Sequence, residues 1–177
     1  MNAWNNLEPK APPVTPDDFV RAMGAAATSV SVVTTAGLGG RFGLTVSALS
    51  SVSAEPPLLL VCVNRKNPSV SAITQNGRFA VNILATHQQD VARVFSGRPL
   101  DGQPYDFARH SWIDSENGLP LLQGAAANFE CETETIHDAG THRIFIGRVF
   151  TAIRSESAPL IYSNRNFGRM ADLDGGK

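Results

Sequence analysis

The sequence predicts a mainly β domain with short helices, its strands mostly antiparallel and closed into a small barrel. Three observations carry that reading. About seven segments of strand length are rich in β-branched and apolar residues. The helical segments are short, about three or four in all. Strands do not alternate strictly with helices, which argues against a doubly wound parallel sheet. The 177 residues are one domain's length, and 42% of them are hydrophobic, enough for one core.

Residues 1–14 read as a loose arm ending at Pro12-Pro13, residues 15–168 as the domain, and residues 169–177 as a tail. Thr15-Pro16-Asp17-Asp18 is a helix start: Thr15 caps, Pro16 suits the first helical position, and the carboxylates meet the positive helix end. Phe19 and Met23 then share a face. Ser29 to Thr35 is a strand by its β-branched content. Gly37 to Gly43 (GLGGRFG) resembles a dinucleotide fingerprint, but its third Gly is late and a strand pattern follows where a helix is needed. A glycine-rich hairpin turn is the better reading, and it excludes a Rossmann site.

Phe42 to Ser53 reads as one long strand. Leu58 to Asn64 is apolar without alternation, which predicts burial on both faces. Asn67-Pro68 caps a helix carrying Val70 and Ile73, stopped by Asn76-Gly77. Phe79 to Leu84 is a strand. Thr86 with Gln89 forms a capping box opening a helix through Val91, Val94 and Phe95. A loop runs from Gly97 to about Pro104. Ala125 to His137 and Arg143 to Arg154 are strands forming a hairpin around Gly140, and Leu160 to Tyr162 is the last strand.

A net charge of −1 argues against a dedicated nucleic-acid or polybasic membrane binder. The longest apolar run, Leu58 to Val63, is too short to span a bilayer. No secretory signal is visible at the N-terminus, so a cytoplasmic protein is expected. Cys62 and Cys131 form neither a disulfide framework nor a closely spaced ligand pair. Thr45 to Ser53 holds five hydroxyls in nine residues on a core strand. It is either a half-exposed strand face or a polar edge for a ligand. Asn64 to Ser69 combines two cations, amide and hydroxyl donors and a helix start, which suits a solvated turn or an anion such as phosphate.

Gly43 to Ser53 (GLTVSALSSVS), Pro56 to Arg65 (PPLLLVCVNR), Phe79 to Leu84 (FAVNIL), Thr141 to Val149 (THRIFIGRV) and Pro159 to Tyr162 (PLIY) occur in this order. Together they resemble the flavin reductase family, small NAD(P)H:flavin oxidoreductases that feed two-component monooxygenases. The likeness spans roughly residues 16–168. It implies an FMN-binding split β-barrel with Greek-key connections, working as a homodimer.

By that resemblance, Thr45, Val46, Ser47 and Ala48 meet the isoalloxazine ring, and Ser50 and Ser53 reach toward the ribityl chain and phosphate. Cys62, Val63, Asn64, Arg65 and Ser69 line the phosphate end, and Phe95 and Ser96 close the pocket. For Phe95, simple core packing is an equal alternative. His142 contacts the nicotinamide nucleotide, and Phe167 stacks on nicotinamide or flavin, with Tyr162 from the same stretch. Many family members have Gly-Asp-His where this chain has Gly140-Thr141-His142, so the carboxylate that would hold the imidazole is missing. His137 lies five residues before His142, and without a third ligand nearby no metal site is assigned.

The implied activity is reduction of FMN or FAD by NADH, with NADPH less favoured, by hydride transfer to flavin N5. Arg143 or Arg65 is available for a 2′-phosphate. Reduced flavin then passes to a separate oxygenase. The rivals are a non-enzymatic flavin- or haem-binding protein on the same barrel, a serine hydrolase and a purely structural dimer. No Gly-x-Ser-x-Gly is present to support the hydrolase.

Overall fold

A computed structural model describes residues 12–171. Most of the expected arm and the last six residues of the expected tail lie outside that range. The elements in chain order are α1 (Pro16–Met23), β1 (Thr28–Ser29), β2 (Ser31–Thr35), β3 (Phe42–Val46), β4 (Leu49–Ala54) and β5 (Pro57–Asn64). Then come α2 (Ser69–Asn76), β6 (Arg78–Ile83), α3 (Gln89–Phe95), β7 (Trp112–Asp114) and β8 (Pro120–Leu122). The last are β9 (Ala127–Ala139), β10 (His142–Arg154), β11 (Leu160–Ser163) and β12 (Asn166–Arg169).

Seven strands form one antiparallel sheet in the order β3-β2-β6-β9-β10-β5-β4. Its two edge strands, β3 and β4, are joined by only Ser47 and Ala48. Three peptide steps reach on the order of 10 Å. The sheet must therefore curl until its edges nearly touch, and Ala48 O accepts a hydrogen bond from Cys62 N (3.1 Å) on the far side of the seam. This is the expected split barrel. It also corrects the single strand expected over Phe42 to Ser53: the chain leaves one edge at Val46 and enters the other at Leu49.

One apolar cluster fills the barrel, with Val33, Leu44, Val61, Val63, Phe79 and Phe145 at its centre. A second lies outside it, where Val32, Leu84, Val94, Phe95 and Leu160 pack β2 against α3 and the β11–β12 hairpin. Burial on both faces thus belongs to β2, all five residues of which are buried, and not to β5. In β5, Leu59, Val61 and Val63 face the core, while Leu58, Leu60 and Cys62 alternate on a half-covered outer face. Two of the three hydroxyls of β2 are accommodated, since Thr34 Oγ1 donates to Pro120 O (2.6 Å) and Thr35 Oγ1 to Arg78 O (2.7 Å), whereas the buried Ser31 Oγ has no partner among the described residues.

Local signals hold in most places. Thr15 caps α1 by accepting from Asp18 N (3.2 Å), and Gly77 ends α2 at φ +67°. The expected capping box at Thr86 is not formed. Gln88 occupies the cap position, its Oε1 accepts from Ala85 N (2.9 Å), and Thr86 N donates to Ala158 O (3.0 Å). Phe19, Val20 and Met23 of α1 are exposed and bury nothing. No described helix is long and apolar enough to cross a membrane.

Candidate functional site

Two cavities open along the β3 side of the seam. The smaller, about 290 Å³, is lined by Leu44, Thr45, Val46, Ser47, Ala48, Cys62, Asn64, Asn67, Phe95, Ser96, Tyr105 and His142. The larger, about 710 Å³, shares Thr45, Val46, Ser47 and Ser96 with it and continues to Gln89, Arg93, Arg98, Tyr162, Arg165 and Phe167. Nine of the residues expected from sequence therefore meet in one place: Thr45, Val46, Ser47, Ala48, Cys62, Asn64, Phe95, Ser96 and His142. They converge because β3, β5 and α3 end here and β10 begins here. Asn64 and His142 are direct partners across the β5–β10 ladder.

Other expected residues are placed elsewhere. Val63 is wholly buried among the core side chains, since it has the inward parity of β5. Ser50 pairs with Leu60 on the outer face of the sheet and its hydroxyl donates to Ser51 O (3.1 Å), while Ser53 Oγ accepts from Glu55 N (3.1 Å). Neither serine borders the two cavities. Ser69 is buried and lines a third hollow with Arg41, Asn67 and Tyr105, the last two of which also line the smaller cavity. Phe95 is 1% exposed and packs edge-on to Phe107 (4.9 Å) and Trp112 (5.2 Å), and it also lines the smaller cavity. Phe167 stands in the larger cavity, between Tyr162 (5.5 Å) and the Arg93 guanidinium (5.4 Å), and so is apart from His142.

The Asn64–Ser69 loop is less open to an anion than its composition implies. Asn64 Oδ1 accepts from Lys66 N (3.0 Å) and Asn67 Oδ1 from Ser69 N (2.9 Å). Arg65 and Arg143 both converge on Asp138: Arg143 binds it through Nε (2.6 Å) and Nη2 (3.0 Å), and Arg65 Nη2 lies at 3.6 Å. The Arg143 hydrogen bond, with the charges of Arg143 and Arg65 behind it, holds the Asp138 carboxyl below the usual range. Both arginines thus already face a carboxylate.

His142 is exposed, and its Nδ1 lies 2.9 Å from Thr141 Oγ1. Threonine thus orients the ring, and it leaves Nε2 for a ligand. Among the described residues no three His, Cys, Asp or Glu side chains come together to hold a metal. Sequence reasoning missed Tyr105, Gln89, Arg93, Arg98 and Arg165. Tyr105 (φ +60°), Asn164 (φ +48°) and Arg165 (φ +63°) hold left-handed backbone, which costs of order 1 kcal/mol or more for such residues.

The two cysteines differ in environment. Cys131 is wholly buried, and burial followed by the Glu130 charge pushes its thiol up to about 12. Burial also raises the Cys62 thiol, which is half-buried at the cavity. Because the folded pKa of Cys131 is raised, its contribution to stability is full below its unfolded pKa near 9 and is lost as pH climbs toward about 12. Thiol titration of the native protein is expected to count one group, Cys62, and two in denaturant. Two reactive thiols in the native state would contradict this burial.

Residues 23–171 match the flavin reductase like domain. The chain is 39% identical over 173 residues, 96% of its length and 94% of the relative's, to the NADH-dependent FMN reductase RutF of Variovorax paradoxus. It is 33% identical to the reductase component of 4-hydroxyphenylacetate 3-monooxygenase of Pseudomonas aeruginosa, over 86% of this chain and 90% of that one. Among solved structures, the NADH:FAD oxidoreductase SgcE6 of Streptomyces globisporus, in complex with NAD and FAD fragments, superposes with a TM-score of 0.81 at 34% identity, covering 92% of this chain and 99% of that one. A domain match over most of the chain, whole-length identity and a shared barrel agree: this chain belongs to the flavin reductase family.

Proposed function

We propose that the protein reduces free flavin with NADH and passes the reduced flavin to a separate oxygenase. The observation that carries this reading is the seam, where two cavities of about 710 and 290 Å³ meet along Thr45, Val46 and Ser47. Ligand sites typically fall between about 300 and 1,000 Å³. Two abutting hollows provide neighbouring places for two ring systems.

The residues present fit a flavin. β3 is an edge strand, so its outward amides and carbonyls have no neighbouring strand and are free to meet a ring's polar rim. Leu44, Val46 and Phe95 supply an apolar floor. Flavin, when bound, supplies the redox chemistry, accepting hydride from the nicotinamide at N5. The chain's own work is positioning. Thr45 Oγ1 donates to Ala92 O (2.8 Å), which pins the β3 wall to α3. Thr45 to Ala48, Cys62 and Asn64 hold one edge of the ring. His142, oriented by Thr141, holds the nicotinamide nucleotide, and Phe167 offers a stacking face in the adjoining cavity.

The protein works as a homodimer in the cytoplasm, where NADH is at hand. Leu60 and Ile146 pair on the outer face of β5 and β10 and are only half-covered, and Val52, Phe150 and Ile153 are 45–52% exposed. A second copy accounts for so much apolar surface. Phe150→Glu is expected to halve the mass in sedimentation equilibrium, and an unaltered dimer would move the interface elsewhere.

The activity test is NADH oxidation without oxygen, with FMN, FAD, riboflavin or no flavin added in excess. Flavin-dependent turnover is expected, and the ranking names the acceptor. Folded protein that oxidises neither NADH nor NADPH with any flavin would leave the non-enzymatic binding reading.

A further inference from the structure

The larger cavity carries more positive charge than stacking requires. Its lining includes three guanidinium groups, Arg93, Arg98 and Arg165, and no carboxylate. None of the three makes an ion pair among the described residues, whereas Arg65 and Arg143 share Asp138. A guanidinium already on a carboxylate has little left for a phosphate. An unpaired one offers a planar fork of donors that matches phosphate oxygens.

The backbone adds an independent observation. Asn164 and Arg165 form the two-residue turn between β11 and β12, both at positive φ. Glycine is favoured at the second of these positions, yet an arginine stands there, at the rim of the cavity. Strain at a residue bordering a cavity points to a role for its side chain. On its other side Arg165 borders a hollow with Asp17 and Arg21, and it makes no ion pair with Asp17. Arg93 is held in place by Phe167, 5.4 Å beneath its guanidinium.

We infer that Arg93, Arg98 and Arg165 form a phosphate-binding wall, which takes the phosphoester end of a nucleotide whose ring lies toward Thr45 and Ser47. The identity of the nucleotide rests on the reductase reading; the anion site does not. The wall lies toward α3 and the β11–β12 turn, away from the Asn64–Ser69 loop whose composition first pointed to an anion. Two phosphates have the right chemistry, that of FMN and that of the dinucleotide.

The test uses Arg98→Gln, Arg165→Gly and the double variant in the full chain. Arg165→Gly places the favoured residue in the turn, so the fold is retained, and a melting curve checks this. Affinity for FMN and riboflavin is read from quenching of flavin fluorescence. KM is read for NADH and for the phosphate-free donor 1-benzyl-1,4-dihydronicotinamide. The double variant is expected to lose about tenfold or more toward one phosphate-bearing ligand and about twofold or less toward its phosphate-free counterpart. FMN weakened against riboflavin assigns the wall to the flavin phosphate. NADH weakened against the benzyl donor assigns it to the dinucleotide. Unchanged FMN and NADH, or equal losses with the phosphate-free compounds, would overturn the inference. A wild-type protein that binds FMN through these arginines yet oxidises no NADH keeps the wall and removes the reductase reading. Turnover that the double variant leaves untouched does the reverse.

Discussion

His142→Ala is expected to raise the KM for NADH about tenfold or more while moving the KM for flavin by about twofold or less. The asymmetry follows from position. Thr45 to Ala48 belong to the β3 edge and its short link to β4, whereas His142 is the first residue of β10 and stands at the cavity mouth opposite Asn64. Its Nδ1 is engaged by the Thr141 hydroxyl (2.9 Å), so the ring is already aimed before a ligand arrives. Losing one pre-aimed hydrogen bond to a ligand is worth about 1–1.5 kcal/mol, or about tenfold in affinity. Thr141→Val frees the ring without removing it, and a smaller rise in the same constant is expected. Steady-state kinetics with each substrate varied in turn decides the matter. An NADH KM that stays put, or a flavin KM that rises instead, would remove His142 from the nicotinamide site.

The sequence was most readable where a signal is local. Thr15-Pro16, Asn76-Gly77 and Gly140 mark ends and turns that the structure keeps, because caps and left-handed glycines act within a few residues. Readings failed where long-range packing decides. Nothing between Val46 and Leu49 marks a break, since Ser47 and Ala48 suit a strand; only closure of the barrel forces the chain to change edges there. β12, with the sequence NFGR, has no β-branched residue and exists because β11 offers it a partner. Burial on both faces was expected for the apolar run of β5 but belongs to β2, because α3 covers β2 and no described element covers the outside of β5. The candidate site divides in the same way. Thr45 to Ala48 stood out through their hydroxyls and through family resemblance. Tyr105 and the three arginines come from α3, a loop and a turn that lie far apart in the chain, so no local pattern announces them.

Asn82→Ala is expected to lower the melting temperature by roughly 10 °C, the largest loss of stability among single polar substitutions here. Asn82 is completely buried in β6, and every hydrogen-bonding position of its amide is used. Nδ2 donates to Val32 O (3.0 Å) and Thr34 Oγ1 (3.2 Å), and Oδ1 accepts from Leu122 N (2.8 Å) and Asn128 Nδ2 (2.7 Å). One side chain thus ties β2, β6, β8 and β9 together. Removing it strands the Leu122 amide in the interior, at about 1–3 kcal/mol, and opens a small void besides. A sum of about 3–4 kcal/mol is a large part of a typical 5–15 kcal/mol total. Asn82→Leu separates the two causes. It refills the volume but leaves the same polar groups unpaired, so it should destabilise at least as much as alanine. If leucine restored the melting temperature, packing and not hydrogen bonding would be what Asn82 contributes. The consequence reaches the site, because β2 carries β3 along its edge, with Thr45 paired to Val32 and Val46 to Ser31. A β2 no longer anchored through Asn82 lets the Thr45–Ser47 wall drift from Ser96. NADH oxidation in the variant should therefore fall more than its folded fraction does, well below the melting midpoint.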